Sequence, residues 1–285
     1  MQQSCTNCPR NCKNTFVCNK QEPYKINIYQ LHKGEEPPIS GTQGSGTIFF
    51  SCCNMKCVFC QNHTISQQGR GDIIDDVDLN RIFLELKNKN AHNINLVTPT
   101  PYSDKLIPFL KSIKDSGFDL PIIWNSSGYE SLEIIKKLKG LVNIYLPDFK
   151  YSDNSLAIKY SSAPNYFETA SQVIKEMRSQ VTDVFSKEGI MKSGLIIRHL
   201  ILPNHTQNSY AVLDAIKKIA GIKTHISLMA QYYPIYKSFE HPQLSRKLTK
   251  KEYDEIYNYF TDLEFENGFI QKLESASDEE IPEFK

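Results

Sequence analysis

Eight cysteines, Cys5, Cys8, Cys12, Cys18, Cys52, Cys53, Cys57 and Cys60, stand in the first 60 residues of this 285-residue chain, and none follows. Disulfide frameworks of that density staple small secreted chains that lack a core. A chain of this length can bury a core of its own, as one large α/β domain or two ordinary ones. The N-terminal MQQSCTNCPRNC has no apolar h-region for a signal peptide. No run of 18 apolar residues is present to span a membrane. A cytoplasmic protein with no membrane partner, whose thiols bind a metal or an iron–sulfur cluster, is therefore expected. Lys and Arg number 33 against 32 Asp and Glu, a net charge of +1. That balance argues against a broad nucleic-acid footprint.

Residues 1–20 form a Cys-rich head, and 21–44 read as a connector containing Pro23, Glu35-Glu36-Pro37-Pro38 and three nearby glycines. Strands and helices alternate from Gly44 onward. Strands are expected at 46–51, 94–97, 122–124, 142–146, 194–202 and 225–229. A helix is expected at 77–88, where Leu79, Ile82, Phe83 and Leu86 share one face and Asp75 or Asp76 caps it. Further helices are expected at 103–116, 129–139, 165–185 with a break near Thr182, 209–220 with Gly221 as its stop, and 250–260. Six short apolar strands in repeated β–α order predict an α/β fold, a parallel sheet with helices outside, as a doubly wound sheet or a barrel. The expected divisions are a Cys-rich extension and connector (1–43), a core (44–262) and a C-terminal extension (263–285). Residues 274–285 carry five acidic residues and one Lys, and read as a mobile tail.

The segment Cys53-Asn-Met-Lys-Cys57-Val-Phe-Cys60 directly follows the first core strand. Three thiolates at spacings of four and three residues can converge on one cluster. A four-iron cubane takes four ligands, so three leave one iron open, as a catalytic metal keeps an open position. Zinc in a closed site wants a fourth ligand, which Cys52 or His63 can supply. Cys5, Cys8, Cys12 and Cys18 can likewise close over zinc or hold a second four-iron cluster.

The Cys53, Cys57, Cys60 motif resembles the signature of radical S-adenosylmethionine enzymes. Further stretches are similar to the branch of pyruvate formate-lyase activating enzyme. They are Cys5-x-x-Cys8-Pro-Arg-x-Cys12, Gly34-Glu-Glu-Pro-Pro-Ile-Ser-Gly41, Phe49-Phe50 and Cys60-Gln-Asn-His-Thr-Ile-Ser66. They continue with Asn95-Leu-Val-Thr-Pro-Thr100, Asn125-Ser-Ser-Gly-Tyr129 and Tyr145-Leu-Pro-Asp-Phe-Lys-Tyr151. Arg198-His-Leu-Ile-Leu-Pro203 and Met229-x-Gln-Tyr-Tyr-Pro234 complete the series. The resemblance implies a partial (β/α)6 barrel of the radical S-adenosylmethionine type with a Cys-rich N-terminal extension, and a site at the strands' C-terminal ends.

The resemblance also implies a (4Fe-4S) cluster on Cys53, Cys57 and Cys60, whose open iron takes the amino and carboxylate groups of S-adenosylmethionine. Reductive cleavage then gives a 5'-deoxyadenosyl radical that abstracts hydrogen from a substrate, with a flavodoxin- or ferredoxin-like one-electron donor as partner. The cofactor supplies the difficult chemistry and the protein a secluded cavity.

Where the resemblance places a glycine-rich acidic motif for the cofactor's amino group, this chain has Thr98-Pro99-Thr100. The carboxylate is missing. The hydroxyls of Thr98 and Thr100 and nearby carbonyls can accept from an ammonium, or the segment is a Pro-stopped strand end. Asn125, Ser126, Ser127 and Gly128 resemble the polar turn lining the cofactor pocket. Asp148 and Lys150 resemble an Asp-x-Lys at the active-site rim and are the catalytic candidates. Arg198 interrupts an apolar strand and must be paired if it faces inward; the resemblance pairs it with the cofactor's carboxylate. His199, on the other side of the strand, is expected to be structural. Gln231, Tyr232 and Tyr233 line the substrate opening or pack a strand end. Cys52 stands where the family has glycine.

A protein glycine, as in activation of a glycyl-radical enzyme, is one expected substrate. A small metabolite or RNA is another, although no nucleic-acid module is recognisable. A catalytically degenerate, zinc-stabilised binding protein is the reading from a different class.

Overall fold

The computed structural model describes residues 5–12, 18, 23–276 and 284. Its strands are β1 (Tyr24–His32), β2 (Ser45–Phe50), β3 (Asp72–Ile74), β4 (Ile94–Val97), β5 (Ile122–Ser126), β6 (Ile144–Pro147), β7 (Val184–Phe185), β8 (Met191–Leu200), β9 (His225–Met229) and β10 (Gly268–Ile270). Its helices are α1 (Pro37–Ser40), α2 (His63–Ser66), α3 (Asp76–Asn88), α4 (Ser103–Asp115), α5 (Leu132–Lys137), α6 (Asn154–Ser161), α7 (Tyr166–Gln180), α8 (Thr206–Ala220) and α9 (Lys250–Asp262).

One sheet runs in the order β10-β9-β8-β6-β5-β4-β2-β1-β3, with β7 beside β8. The six expected strands are β2, β4, β5, β6, β8 and β9, and they pair in parallel in chain order. Parallel neighbours need long crossovers, and helices provide them. Strand β10, from the C-terminal extension, adds a seventh parallel strand beside β9.

Period-two alternation divides the core. Trp124, Tyr145 and Ile197 pack with the helices: Leu79, Ile82, Phe83 and Leu86 of α3, Leu106 and Leu110 of α4, Val173 and Met177 of α7, and Val212 and Ile216 of α8. Their neighbours Ile123, Ile144, Leu146 and Ile196 face a separate cluster with Ile39 and Met191. Ile39 belongs to α1, so the segment after β1 is tucked inside the curl of the sheet. Asn93 Nδ2 donates to the Ile39 carbonyl at 2.8 Å and holds it there.

Several elements differ from expectation. Residues 24–32, expected in the connector, form β1, antiparallel to both β2 and β3. Tyr24, Ile26 and Ile28 alternate with Lys25 and Asn27, but the strand lies between Pro-bearing segments that read as connector, and its pairing with β2 shifts register between Ile26 and Ile28. Helix α5 begins at Leu132 rather than 129, which leaves Glu130 in the preceding turn. The expected cap is present: Asp75 accepts from the N–H groups of Val77 and Asp78. Most of the acidic tail, 277–283 and 285, lies outside the described residues. Among the described residues no helix is long and apolar enough to cross a membrane.

At the start of α9, Thr249 and Glu252 form a capping box, and Arg246 donates to Glu252 at 2.7 Å. The Arg246 hydrogen bond, with the Thr249 and Asn204 donors, outweighs burial and holds the Glu252 carboxyl down to about 2. The folded value lies below the unfolded one, so the stabilisation is complete above about pH 4.3 and is lost as pH falls toward about 2. The Arg246 side chain is 40% exposed, which reduces the contribution to about 1–2 kcal/mol. Glu252→Gln should lower stability to urea by that amount at neutral pH, and the gap from wild type should narrow below about pH 4. A gap independent of pH would contradict this assignment.

Candidate functional site

The C-terminal ends of β4, β5, β6, β8, β9 and β10 surround one cavity of 580 Å³, to which Thr98, Ser126, Asp148, Arg198, Met229 and Ile270 all contribute. His32 of β1 and Gln271 just after β10, near opposite ends of the sheet, line the same space. The sheet therefore wraps around the cavity as a partial barrel. Cys53, Cys57 and Cys60 lie on its wall.

The cysteine loop is pinned by its backbone. Lys56 N–H donates to the Ser161 carbonyl at 2.9 Å, and Val58 N–H to the Tyr160 carbonyl at 2.8 Å, both at the end of α6. Cys52 N–H donates to the Ile65 carbonyl at 2.9 Å. Cys52 has φ of +71°, in the left-handed region where glycine alone is unstrained, which accounts for the glycine the resemblance expects there. Its thiol is buried, and it does not line the cavity.

Each triad sulfur has a hydrogen-bonding neighbour. Met55 N–H donates to Cys53 Sγ at 3.4 Å, Ser161 Oγ donates to Cys57 Sγ at 3.0 Å, and Ser66 Oγ is 3.1 Å from Cys60 Sγ. Burial, reinforced by the neighbouring Cys57, pushes the Cys60 thiol up to about 11 and Cys53 higher still. Burial also raises Cys57. Buried sulfurs that oppose one another's ionisation yet have donors ready for thiolates match what a cationic cluster requires, because ligand thiols bind deprotonated. As the side chains stand, no three His, Cys, Asp or Glu among the described residues are gathered as around a metal ion. The fit rests on the donor set and its shared cavity.

Polar turns complete the wall. Thr98 has φ of +59°, a strained conformation for a β-branched residue, in the stretch where the resemblance places a glycine-rich acidic motif. Its N–H donates to the Asn125 carbonyl at 2.9 Å, which locks the ends of β4 and β5 together. Asn125, Ser126 and Ser127 line the cavity. Gly128 turns the chain at φ +72°, where an added Cβ would lie 2.6 Å from the Asp148 carbonyl oxygen. Thr100 faces away, donating to Glu130.

Asp148 and Lys150 both reach the cavity, joined by a 2.6 Å ion pair. Burial lowers the proton affinity of Lys150, but Asp148 and the cysteine sulfurs outweigh it and keep the ammonium above its ordinary value. His199 is structural, as expected. Its Nδ1 lies 2.8 Å from the Phe149 carbonyl and its Nε2 2.8 Å from Ser209 Oγ, and burial brings it down to about 4. Gln231 and Tyr233 line the cavity, whereas buried Tyr232 also packs on Phe59 and donates to the Leu244 carbonyl.

Arg198 faces inward and is paired, but its partners belong to the chain itself. Its Nε donates to Glu36 Oε1 at 2.7 Å, and Nη2 to Glu36 Oε2 at 2.6 Å and to Glu35. Burial pushes the Glu36 carboxyl up, and Arg198 more than offsets it. Two carboxylates on one guanidinium leave an acidic surplus that opposes a further carboxylate. The guanidinium that the resemblance pairs with a cofactor carboxylate here pairs with Glu36 and Glu35. Sequence reasoning missed Glu35 and Glu36 because their Pro-rich surroundings read as connector.

The head docks beside the cysteine loop. Its turn is closed by Cys5 N–H donating to the Cys12 carbonyl at 2.8 Å. Arg10 donates to the Asn54 and Ser162 carbonyls, and Asn7 Nδ2 reaches the Pro101 carbonyl and Asp104. Cys8 is buried, which raises its thiol, while the Asn54 side chain hydrogen-bonds it and Cys5 and Cys12 act on it electrostatically. Cys18 is buried as well.

A partial barrel of parallel strands with three thiols at its mouth defines a radical S-adenosylmethionine protein, and the chain belongs to the Radical SAM superfamily, whose model matches residues 47–191. Uncharacterized protein MJ0674 of Methanocaldococcus jannaschii is 34% identical over 245 residues, which cover 82% of this chain and 66% of that protein, just under two thirds of its length. The fold is similar to SuiB of Streptococcus suis bound to S-adenosylmethionine, with a TM-score of 0.53, 13% identity, and 80% of this chain and 50% of that chain covered. SuiB bound to the precursor peptide SuiA gives the same score and identity, with 79% and 48% covered.

Removing Arg198 would strand two carboxylates, one of them buried. Arg198→Leu should therefore lower stability by about 3–5 kcal/mol in urea unfolding, and adding Glu35→Gln and Glu36→Gln should recover part of the loss. An undiminished stability in the single variant would show that the pairing contributes nothing.

Proposed function

We propose that this chain is a radical S-adenosylmethionine enzyme whose Cys53, Cys57 and Cys60 hold the catalytic four-iron cluster, and that its substrate is a segment of a protein. The carrying observation is the three hydrogen-bonded thiols on the wall of one barrel-mouth cavity. When bound, the cluster supplies the electron that cleaves S-adenosylmethionine to methionine and a hydrogen-abstracting 5'-deoxyadenosyl radical. The chain's own part is to bind, orient and exclude water. Met55 N–H and the hydroxyls of Ser161 and Ser66 steady the sulfurs. The Thr98 and Asn125–Gly128 turns bound the cofactor's place, and the paired Asp148 and Lys150 stand at the rim.

Charge supports the cofactor. S-adenosylmethionine carries a sulfonium, an ammonium and one carboxylate, a net cation, and the Glu35–Glu36–Arg198 group gives the cavity an acidic surplus. The protein-segment reading draws on the blocks shared with the activase branch. It is supported by the open sheet, whose described ends β3 and β10 are unpaired with each other and leave the cavity approachable from the side. The precursor peptide bound by SuiB is in keeping with it. Cys5, Cys8, Cys12 and Cys18 are proposed to hold a second metal beside Asn54, and a flavodoxin- or ferredoxin-like protein to deliver the electron.

After anaerobic reconstitution and reduction, wild type should convert S-adenosylmethionine to 5'-deoxyadenosine, detected by chromatography. The C53A/C57A/C60A variant should yield none while retaining the metal of the head. Product from the triple variant, or none from wild type carrying cluster and cofactor with candidate peptides added, would contradict the proposal.

A further inference from the structure

Glu130 is 1% exposed, and three donors, two on β5 and one after β4, converge on it. Trp124 Nε1 and Thr100 Oγ1 donate to Oε1 at 2.6 and 3.0 Å, and Ser126 Oγ donates to Oε2 at 2.6 Å. No cation is among these partners. Burial raises the Glu130 carboxyl above its ordinary value, and the hydrogen bonds from Ser126, Trp124 and Thr100 work against that rise. In its ionised form the carboxylate only accepts hydrogen bonds, so both hydroxyls then turn their protons toward it. Ser126 also receives the Gly128 N–H at 3.3 Å. Glu130 thus fixes the segment after β4 and the turn after β5 at once, from one layer behind the cavity wall that Thr98 and Ser126 form. The head covers it from outside: Ser131 N–H donates to the Asn7 carbonyl at 3.2 Å, and Cys8 and Pro9 share a second cavity with Glu130.

We propose that Glu130 is the positioning and specificity residue that makes this cavity select a cationic ligand, acting through Thr100 and Ser126. The proposal rests on the reading of the site as one for S-adenosylmethionine. A carboxylate removed from water without a counter-ion is costly, and a positive ligand one layer away restores the missing charge in a medium that screens it weakly. Ser126, which lines the cavity, has its hydroxyl proton committed backward to Glu130, and Thr100 holds the same carboxylate from the side away from the cavity. The Thr98–Thr100 segment lacks a carboxylate of its own, and Glu130 lends it one from behind.

The sulfonium of S-adenosylmethionine and the neutral thioether of S-adenosylhomocysteine separate charge from shape. Both are titrated anaerobically into reconstituted protein, and the ratio of their Kd values is read. Wild type should prefer S-adenosylmethionine, and Glu130→Gln should reduce that preference roughly tenfold, whereas Glu130→Asp should keep it. Equal weakening of both ligands in Glu130→Gln, as simple loosening of the turns would produce, overturns the proposal, and so does an unchanged ratio. Should Glu130→Gln fail to fold, the pair is Glu130→Gln/Ser126→Ala against Ser126→Ala, since the alanine removes the hydroxyl that the new amide would face. A wild type that binds neither ligand overturns the reading of the site together with the proposal. A wild type that binds S-adenosylmethionine with a ratio insensitive to Glu130 overturns the proposal alone.

Discussion

Parallel pairing of β2, β4, β5, β6, β8 and β9 brings the C-terminal ends of all six strands to one mouth. Everything chemical in the molecule follows from that constraint. Segments far apart in sequence, from the cysteine loop after β2 to Met229 at the end of β9, meet around one cavity because each leaves its strand in the same direction. The helices outside seal the sheet with apolar side chains, so polar groups concentrate at the mouth.

Charge inside the curl is organised in paired sets. Asp148 neutralises Lys150, and Arg198 is shared by Glu35 and Glu36; behind the cavity wall, Glu130 has no cation among its hydrogen-bond partners. The surplus is acidic. A cofactor that is a net cation meets a complementary surface, and one dominated by phosphate would not. The same pairings carry structure, because Glu35 and Glu36 tie the segment between β1 and α1 to β8 on the far side of the sheet.

Much of this was legible in the sequence, for identifiable reasons. The six parallel strands are short apolar runs bounded by polar turns, and helix α3 shows both its apolar face and its Asp75 cap. The thiol triad is local, so its spacing survives in one dimension. Arg198 announced its need for a partner by interrupting an apolar strand, but Glu36 lies 162 residues away, and no local pattern joins them. Strand β1 stayed hidden because it lies within a stretch bounded by Pro23 and Pro37-Pro38 that reads as connector. Glu130 stayed hidden because the expected helix began one residue before it, whereas α5 begins two residues after it. Cys52 and Thr98 stood out as departures, and their positive φ values give the physical content of that departure.

The central claim is that the triad holds a cluster with one iron open to S-adenosylmethionine. Electron paramagnetic resonance of the reduced, reconstituted protein, with and without S-adenosylmethionine, tests it most directly. The signal absent from the C53A/C57A/C60A variant should change its g values when S-adenosylmethionine is added, because a ligand has reached the open iron. An identical spectrum with saturating S-adenosylmethionine would mean that the cluster is closed or lies elsewhere.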